Sequence, residues 1–250
     1  MKNIQRFFSQ QIIMYDLKIN KSGRDMIMKE LIKITGLCKT YSKKNNSITV
    51  LDNINMTVYK GEFVAVTGQS GSGKSTLMNI IGCLDKAEKG DYYLDGKNIC
   101  KMNDKDITEI RSRKIGFVFQ SFNLLPSLSA IDNVELPLIY RKVSRNEREK
   151  TALRALECVG LSKRIKHLPS EMSGGQQQRT AIARAIAVSP ELLLADEPTG
   201  SLDTRSGEEV LSIIMKMNKR GVTVVMITHD EGIAALADRQ IVISDGRIIN

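Results

Sequence analysis

The chain has little with which to hold a metal ion or to staple a small scaffold. Its four cysteines, Cys38, Cys83, Cys100 and Cys158, are scattered with no Cys-x-x-Cys pair, and only His167 and His229 offer imidazole nitrogens. A zinc site or a disulfide framework is therefore not what organises it, and a reducing compartment suits the thiols better. Also missing is any apolar run approaching the roughly 18 residues that cross a bilayer, so a membrane role has to come through a partner. The leading segment lacks the basic-then-apolar layout and the small-residue cleavage site of a secretory signal.

What is present is the composition of a globular protein. The 250 residues are 42% hydrophobic and 26% charged, enough for one large α/β domain or two coupled lobes. The formal net charge of +9 is compatible with nucleic acid, with anionic lipid or with solubility alone, and does not choose among them.

One stretch organises the rest: Gly68, Gln69, Ser70, Gly71, Ser72, Gly73, Lys74, Ser75 and Thr76 spell Gly-x-x-x-x-Gly-Lys-Ser. Glycine at 68, 71 and 73 removes Cβ atoms where a chain must curl round a phosphate and lets backbone N–H groups converge on it. Lys74 is then placed to reach the β and γ phosphates, and the Ser75 hydroxyl to sit on magnesium. The context agrees: 62–67 (EFVAVT) reads as a buried strand and 75–81 as the first turns of a helix whose N-terminus favours anions.

Taken in order, Met1 to Glu30 forms an extension in which Phe7, Phe8, Ile12 and Ile13 are interrupted towards Gly23. It reads either as a loose tail or as a helix that lies on a membrane surface or binds a partner, with Met26 and Met28 as alternative starts. From Leu31 the runs LIKITGLCKTY and ITVLDNINMTVY predict an antiparallel sheet beside the phosphate loop, with Tyr41 either stacked on adenine or structural. GDYYL and Asp95-Gly96 predict another hairpin. Residues 115–120 read as an inner strand ending in Gln120, which can reach a metal or an attacking water. Between Ser121 and Gly175 the spacing turns helical. Ser144 and Glu147 form a capping-box pattern ahead of a face made by Ala152, Leu153, Leu156 and Val159, which implies an inserted helical lobe at about residues 121–178. The apolar connector Phe122, Leu124, Leu125, Pro126 and Leu128 suits either docking or core packing.

Ser173, Gly174 and Gly175, followed by Gln176, Gln177 and a helix-competent run to Val188, form a second anion-facing helix terminus. A chain with one complete phosphate loop has no need of it for its own nucleotide, so it reads as half of a composite site shared with another subunit, or as a glycine hinge. Residues 191–197 are a buried-strand pattern ending in Asp196, placed to bind magnesium through water, and Glu197, placed to polarise the hydrolytic water once the turn at Pro198 redirects it. Asp203 suits a helix cap. Residues 222–228 form a last strand that puts His229 at its end, where a γ-phosphate would be sensed, and residues 240–249 close the chain as a small hairpin.

The set Gly68 to Thr76, Gln120, Ser173 to Arg179, Asp196-Glu197, Ser201-Leu202-Asp203 and His229 resembles the ATP-binding cassette ATPases over Leu31 to Asn250. More narrowly, IGFVFQSFNLLP, NVELPL and ADEPTGSLD look like the lipoprotein-release and macrolide-exporter branch. The resemblance implies an α/β fold: a P-loop NTPase core at 31–250 with an antiparallel β subdomain and the inserted helical subdomain. It implies ATP and Mg2+ as cofactors and hydrolysis coupled to transport. The partners would be a second cassette, as homodimer or pair, and an integral membrane permease with an extracytoplasmic domain, with no nucleic acid, at the inner face of the cell membrane. The cargo class would be that of an exporter or a lipoprotein- or antimicrobial-peptide-handling system.

By the same resemblance Tyr41 stacks on adenine and Gly68 to Thr76 hold the phosphates, while Ser75, Gln120 and Asp196 serve the metal. Gln120 also links that site to the helical lobe. Ser173 to Gln177 complete the partner's site, Glu197 is the catalytic carboxylate, Asp203 communicates across the dimer and His229 is the γ-phosphate switch. Met172 where leucine is common, and Gln69 where proline is frequent, depart from the pattern without touching a group needed for phosphate transfer. Two other classes are kept: an ATP-driven nucleic-acid or translation-associated machine, and a regulatory cassette that binds ATP without turnover.

Overall fold

A computed structural model describes residues 29–43 and 46–249. The reading of the leading segment falls on residues outside that range, except for Lys29 and for Glu30, where the first strand begins.

Strand β1 (Glu30–Lys43) pairs antiparallel with β2 (Asn46–Tyr59) and, on its other edge, with β4 (Lys89–Leu94), which turns into β5 (Lys97–Asn98). Period-two burial of Ile54, Met56 and Val58 faces this sheet onto the core. The β4–β5 turn has Asp95 and Gly96 at φ 49° and 77°. Two successive positive φ values are what a two-residue hairpin needs to match strand twist, so the Asp-Gly pair does what the sequence said it would.

The second sheet has the order β10-β9-β3-β8-β7-β6, built from β3 (Phe63–Thr67), β6 (Ile115–Val118), β7 (Leu192–Asp196), β8 (Thr223–Ile227), β9 (Arg239–Ser244) and β10 (Arg247–Ile248). All pairings except β10 with β9 are parallel. Its central strands are buried on both faces, and so read as continuous apolar runs rather than alternating ones. One face packs with the antiparallel sheet and helices α1 (Lys74–Ile81) and α2 (Asp104–Lys114). The other packs with α3 (Ala130–Tyr140), α4 (Arg145–Cys158), α5 (Gly174–Ala187) and α6 (Thr204–Lys219). A short helix α7 (Glu231–Ala234) follows β8. This is the α/β P-loop NTPase core with antiparallel and helical subdomains. Among the described residues no helix is long and apolar enough to cross a membrane.

The closing hairpin forms, β9 pairing antiparallel with β10, and β9 also runs parallel to β3, with Thr67 opposite Val242, so that the hairpin belongs to the core sheet. Three local expectations change. The strand expected to end in Gln120 stops at Val118, opposite Ala195. Beyond it the Phe119 and Gln120 carbonyls accept from the side chains of Gln178 and Ser201 instead of from a neighbouring strand. Ser144 occupies the N-cap of α4 but makes no side-chain cap; that helix is tied instead to α3 through Arg148 and Glu135 at 2.6 Å. Leu153, expected in the core face of α4, is 37% exposed, whereas Ala152, Leu156 and Val159 are buried.

Candidate active site

Parallel strands end together, and here β3, β8 and β7 deliver Thr67, Ile227 and Asp196 to one edge of the sheet. In open α/β sheets that edge is where ligands bind. The phosphate loop leaves β3 there. Gly68, Gly71 and Gly73 adopt φ of 141°, 78° and 104°, a region that an L side chain enters only under strain. At two of the three the neighbours forbid a side chain as well. A Cβ on Gly68 would lie 2.1 Å from the Ile243 carbonyl oxygen, and one on Gly73 2.7 Å from the Val50 carbonyl oxygen. Gly73 is also the N-cap of α1 and provides no side-chain cap, so the amides of the first turn are free to serve an anion. Lys74 Nζ donates to the carbonyls of Gly68 at 2.9 Å and Gln69 at 2.6 Å, which holds the ammonium over the loop, with Ser72 Oγ at 3.5 Å.

Asp196 ends β7, half-buried. Burial raises its pKa, the Glu197 carboxylate adds to the rise and Lys74 opposes it. Glu197 itself has φ 41°. This left-handed step leads into the turn at Pro198, closed by the Gly200 N–H donating to the Glu197 carbonyl at 3.0 Å, and turns the side chain back over the edge, while the Glu197 N–H donates to the Ile227 carbonyl at 3.0 Å. The carboxylate meets His229 Nδ1 at 3.0 Å. Gln120 comes from the turn after β6: a Cβ on Gly200 would be 2.9 Å from Gln120 Nε2 and 3.3 Å from Glu197 Oε2. Gly200 thus leaves the gap in which those two side chains sit. Tyr41, from β1, is 44% exposed, and its hydroxyl donates to Asp85 Oδ2 at 2.7 Å.

A second cluster forms at α5. Ser173 is its N-cap and closes a capping box with Gln176: Gln176 N–H donates to Ser173 Oγ and Ser173 N–H to Gln176 Oε1 at 3.1 Å. Gln177 Nε2 donates to the Met172 carbonyl at 3.1 Å. Gly174 packs against Leu202 and Phe122, and Gly175 against Ser206, so this helix end faces the segment that carries Asp203. Asp203 caps α6 by accepting from Ser206 N–H at 3.0 Å.

Two side chains that the sequence did not single out join the clusters. Gln178 is fully buried, and its Nε2 donates to the carbonyls of both Phe119 and Pro198, at 3.2 and 2.6 Å. One amide on α5 thereby holds the turn that carries Gln120 and the turn that follows Glu197. Arg184, whose pKa burial lowers, donates to the carbonyls of Phe122 and Asn123, two consecutive residues with φ of 61° and 48°. A polar residue on the core-facing stripe of a helix was the available signal for both.

The cradle, the uncapped helix start, the lysine and the two carboxylates fit a nucleoside triphosphate with its divalent cation, and with this fold they define a P-loop nucleoside triphosphatase. The comparisons narrow the class. Residues 51–200 match the family model described as ABC transporter. The chain is 50% identical over 219 residues to an uncharacterized ABC transporter ATP-binding protein, YvrO, of Bacillus subtilis, covering 88% of this chain and 96% of the relative. It is also 50% identical over 222 residues to the macrolide export ATP-binding/permease protein MacB of Escherichia coli, covering 89% of this chain but 34% of MacB. Two solved structures of MJ0796 superpose with a TM-score of 0.82 at 46% identity, covering 88% of this chain and 97% of theirs. One is described as a dimeric ABC transporter cassette and the other as a post-hydrolysis dimer bound to ADP and Pi; MJ0796 itself is from Methanocaldococcus jannaschii. The chain belongs to the ABC transporter family, as an ATP-hydrolysing cassette.

Proposed function

We propose that two such cassettes associate head to tail round two Mg-ATP and drive a membrane permease. In this reading Gly68 to Thr76 hold the phosphates, Tyr41 stacks on the adenine, and Ser75, Asp196 and Gln120 hold the cation. Bound magnesium supplies charge neutralisation at the phosphates. Lys74 adds a second positive charge there, released from its loop carbonyls. Glu197 orients the attacking water and accepts its proton, and His229, hydrogen-bonded to Glu197, keeps that carboxylate aimed and reports on the γ-phosphate position. Ser173 to Gln177 complete the site of the opposite cassette, and Asp203 relays between the two.

The observation that carries the reading is the Glu197 carboxylate turned over the sheet edge by its positive φ and met by His229 at 3.0 Å. A solvated acidic turn has no need of that strain. MacB and the dimeric MJ0796 cassette support export and pairing by their likeness. A permease with an extracytoplasmic domain, lipoprotein or antimicrobial-peptide handling, and a place at the inner face of the cell membrane follow from the same branch resemblance. The half-exposed connector around Leu125 suits docking of that permease.

The test is Glu197→Gln, which keeps shape and hydrogen bonding but removes the charge. Turnover should fall by about 100-fold or more, as for loss of a single transition-state group, with ATP affinity retained and a dimer appearing on size exclusion under saturating Mg-ATP. Ordinary turnover would remove Glu197 from the role. A variant that stayed monomeric with its permease present would remove the paired arrangement.

A further inference from the structure

Tyr41 does not stand alone. Its hydroxyl donates to Asp85, four residues beyond the end of α1, and Asp85 N–H donates to the Asn79 carbonyl of that helix. Lys39, two residues before Tyr41 on the same strand face, is buried at 8% exposure and donates from Nζ to Asp85 Oδ1 and to the Lys86 carbonyl, both at 2.8 Å. The same ammonium lies 4.9 Å from the centroid of the Tyr41 ring. The phenol is thus fastened to the helix that starts at the phosphate loop, while a cation covers one face of the ring and much of the remainder is open.

We propose that Asp85 and Lys39 are positioning residues for the nucleotide base, acting through Tyr41; this rests on the reading of Tyr41 as the adenine platform. The physics has two parts. An exposed tyrosine near the end of a strand gives up rotamer freedom when a base stacks on it, and a ring already fixed by Asp85 gives up less. The Lys39 ammonium draws π density towards its own side, leaving the opposite face better matched to an electron-rich purine. Asp85 is also what makes a buried ammonium tolerable at this point, since an unpaired one would be expelled or neutralised. In agreement, the Tyr41 hydroxyl is held above its ordinary pKa chiefly by the hydrogen bond to Asp85, and Asp85 titrates low because its donors outweigh its burial.

The experiment separates base from phosphate by titrating the full chain with Mg-ATP and with Mg-tripolyphosphate in a calorimeter. Tyr41→Ala should weaken ATP by about 5- to 150-fold, the range of one aromatic–base stack, and leave tripolyphosphate unchanged. Asp85→Ala and Lys39→Met should each weaken ATP by about three- to tenfold, the scale of one immobilised side chain, again without effect on tripolyphosphate. Asp85→Asn, which still accepts from the phenol, should retain most of the affinity and covers the case in which Asp85→Ala does not fold. In a Tyr41→Ala background Asp85→Ala should cost nothing more, since a residue acting through another has no effect once the other is gone.

The proposal is overturned if Asp85→Ala weakens both ligands equally, or still weakens ATP without Tyr41, because Asp85 would then serve the loop directly. It is also overturned, with the base platform intact, if Tyr41→Ala weakens ATP while Asp85→Ala and Lys39→Met leave it unchanged. Failure of Tyr41→Ala to weaken ATP removes the platform itself.

Discussion

Two helices in this chain begin at glycine-rich sequences, and they begin differently. At α1 the N-cap is Gly73 at φ 104°, with no side-chain cap; at α5 it is Ser173 at φ −66°, with its hydroxyl and the Gln176 side chain closing a full box. Both carry the same partial positive charge from their aligned peptides. The first leaves its amides to an external anion, whereas the second has already spent two of them within the chain. A helix end of the first kind can bind phosphate alone. One of the second kind adds to a site that something else has formed, which is the proposed division of labour between the phosphate loop and the Ser173 to Gln177 helix end.

The strongest way to break the comparison is to close the first end. Gly68→Ala would put a methyl group 2.1 Å from the Ile243 carbonyl oxygen, and neither is the end of a flexible side chain. A loss of about 3 kcal/mol or more, with ATP binding abolished, is expected from such a backbone clash at a strained φ. Gly71 is the control within the same loop. Its Cβ would meet nothing within 4 Å, so Gly71→Ala should cost only the left-handed conformation, about 1–2 kcal/mol. Equal losses in urea denaturation would show that the close approach at Gly68 does not matter.

The next largest effect lies where the two regions join. Gln178→Leu keeps the volume but leaves the Phe119 and Pro198 carbonyls without their donor, and about 2–3 kcal/mol is expected for buried acceptors left unpaired. If Gln178 also registers Gln120 and Glu197 against α5, turnover should fall further than ATP affinity does. A variant that lost stability but kept its turnover would make Gln178 a packing residue only.

Acid gives a control that touches neither helix end. Asp95 is bracketed by Lys114 at 2.6 Å and Lys60 at 2.8 Å, and hydrogen bonds from those two lysines hold its pKa well below the usual carboxylate range. A depressed carboxylate contributes stability that is present above its unfolded pKa near 4 and lost as pH falls towards the folded value. Asp95→Asn, which tolerates the positive φ of the turn, should therefore cost about 1 kcal/mol at neutral pH. The gap between the melting curves of the two proteins should close as pH falls below about 4. ATP affinity should not follow it.

How much of this was legible beforehand depended on whether the cause was local. The phosphate loop, the Asp95-Gly96 turn and the apolar runs of β7 and β8 follow from φ preferences and periodicity within a few residues. The serine box at Ser144 failed and the one at Ser173 formed, although the two patterns look alike in sequence. Gln120 moved off its strand because Gln178 and Ser201, 58 and 81 positions away in the chain, engage the carbonyls there. Glu197 faces the site through its own left-handed φ, which no residue preference would assign to a glutamate. Lys39 and Asp85 carry no motif at all, and only their meeting at Tyr41 gives them a part.

The finest test of the opening comparison changes Ser173 twice. An N-cap serine replaced by alanine costs about 1 kcal/mol, and replaced by glycine only a few tenths, because glycine leaves room for water to serve the freed amide. If the hydroxyl acts only as a cap, Ser173→Gly should behave almost as the native chain in ATP-driven dimer formation, and Ser173→Ala should be the weaker of the two. If the hydroxyl also reaches the opposite cassette's nucleotide, both variants should lose dimer affinity alike while thermal melts of the ATP-free monomers still differ between them. Serine at this position then works twice, first as the closure of its own helix and afterwards as a donor in another subunit's site, and the glycine variant tells those two uses apart.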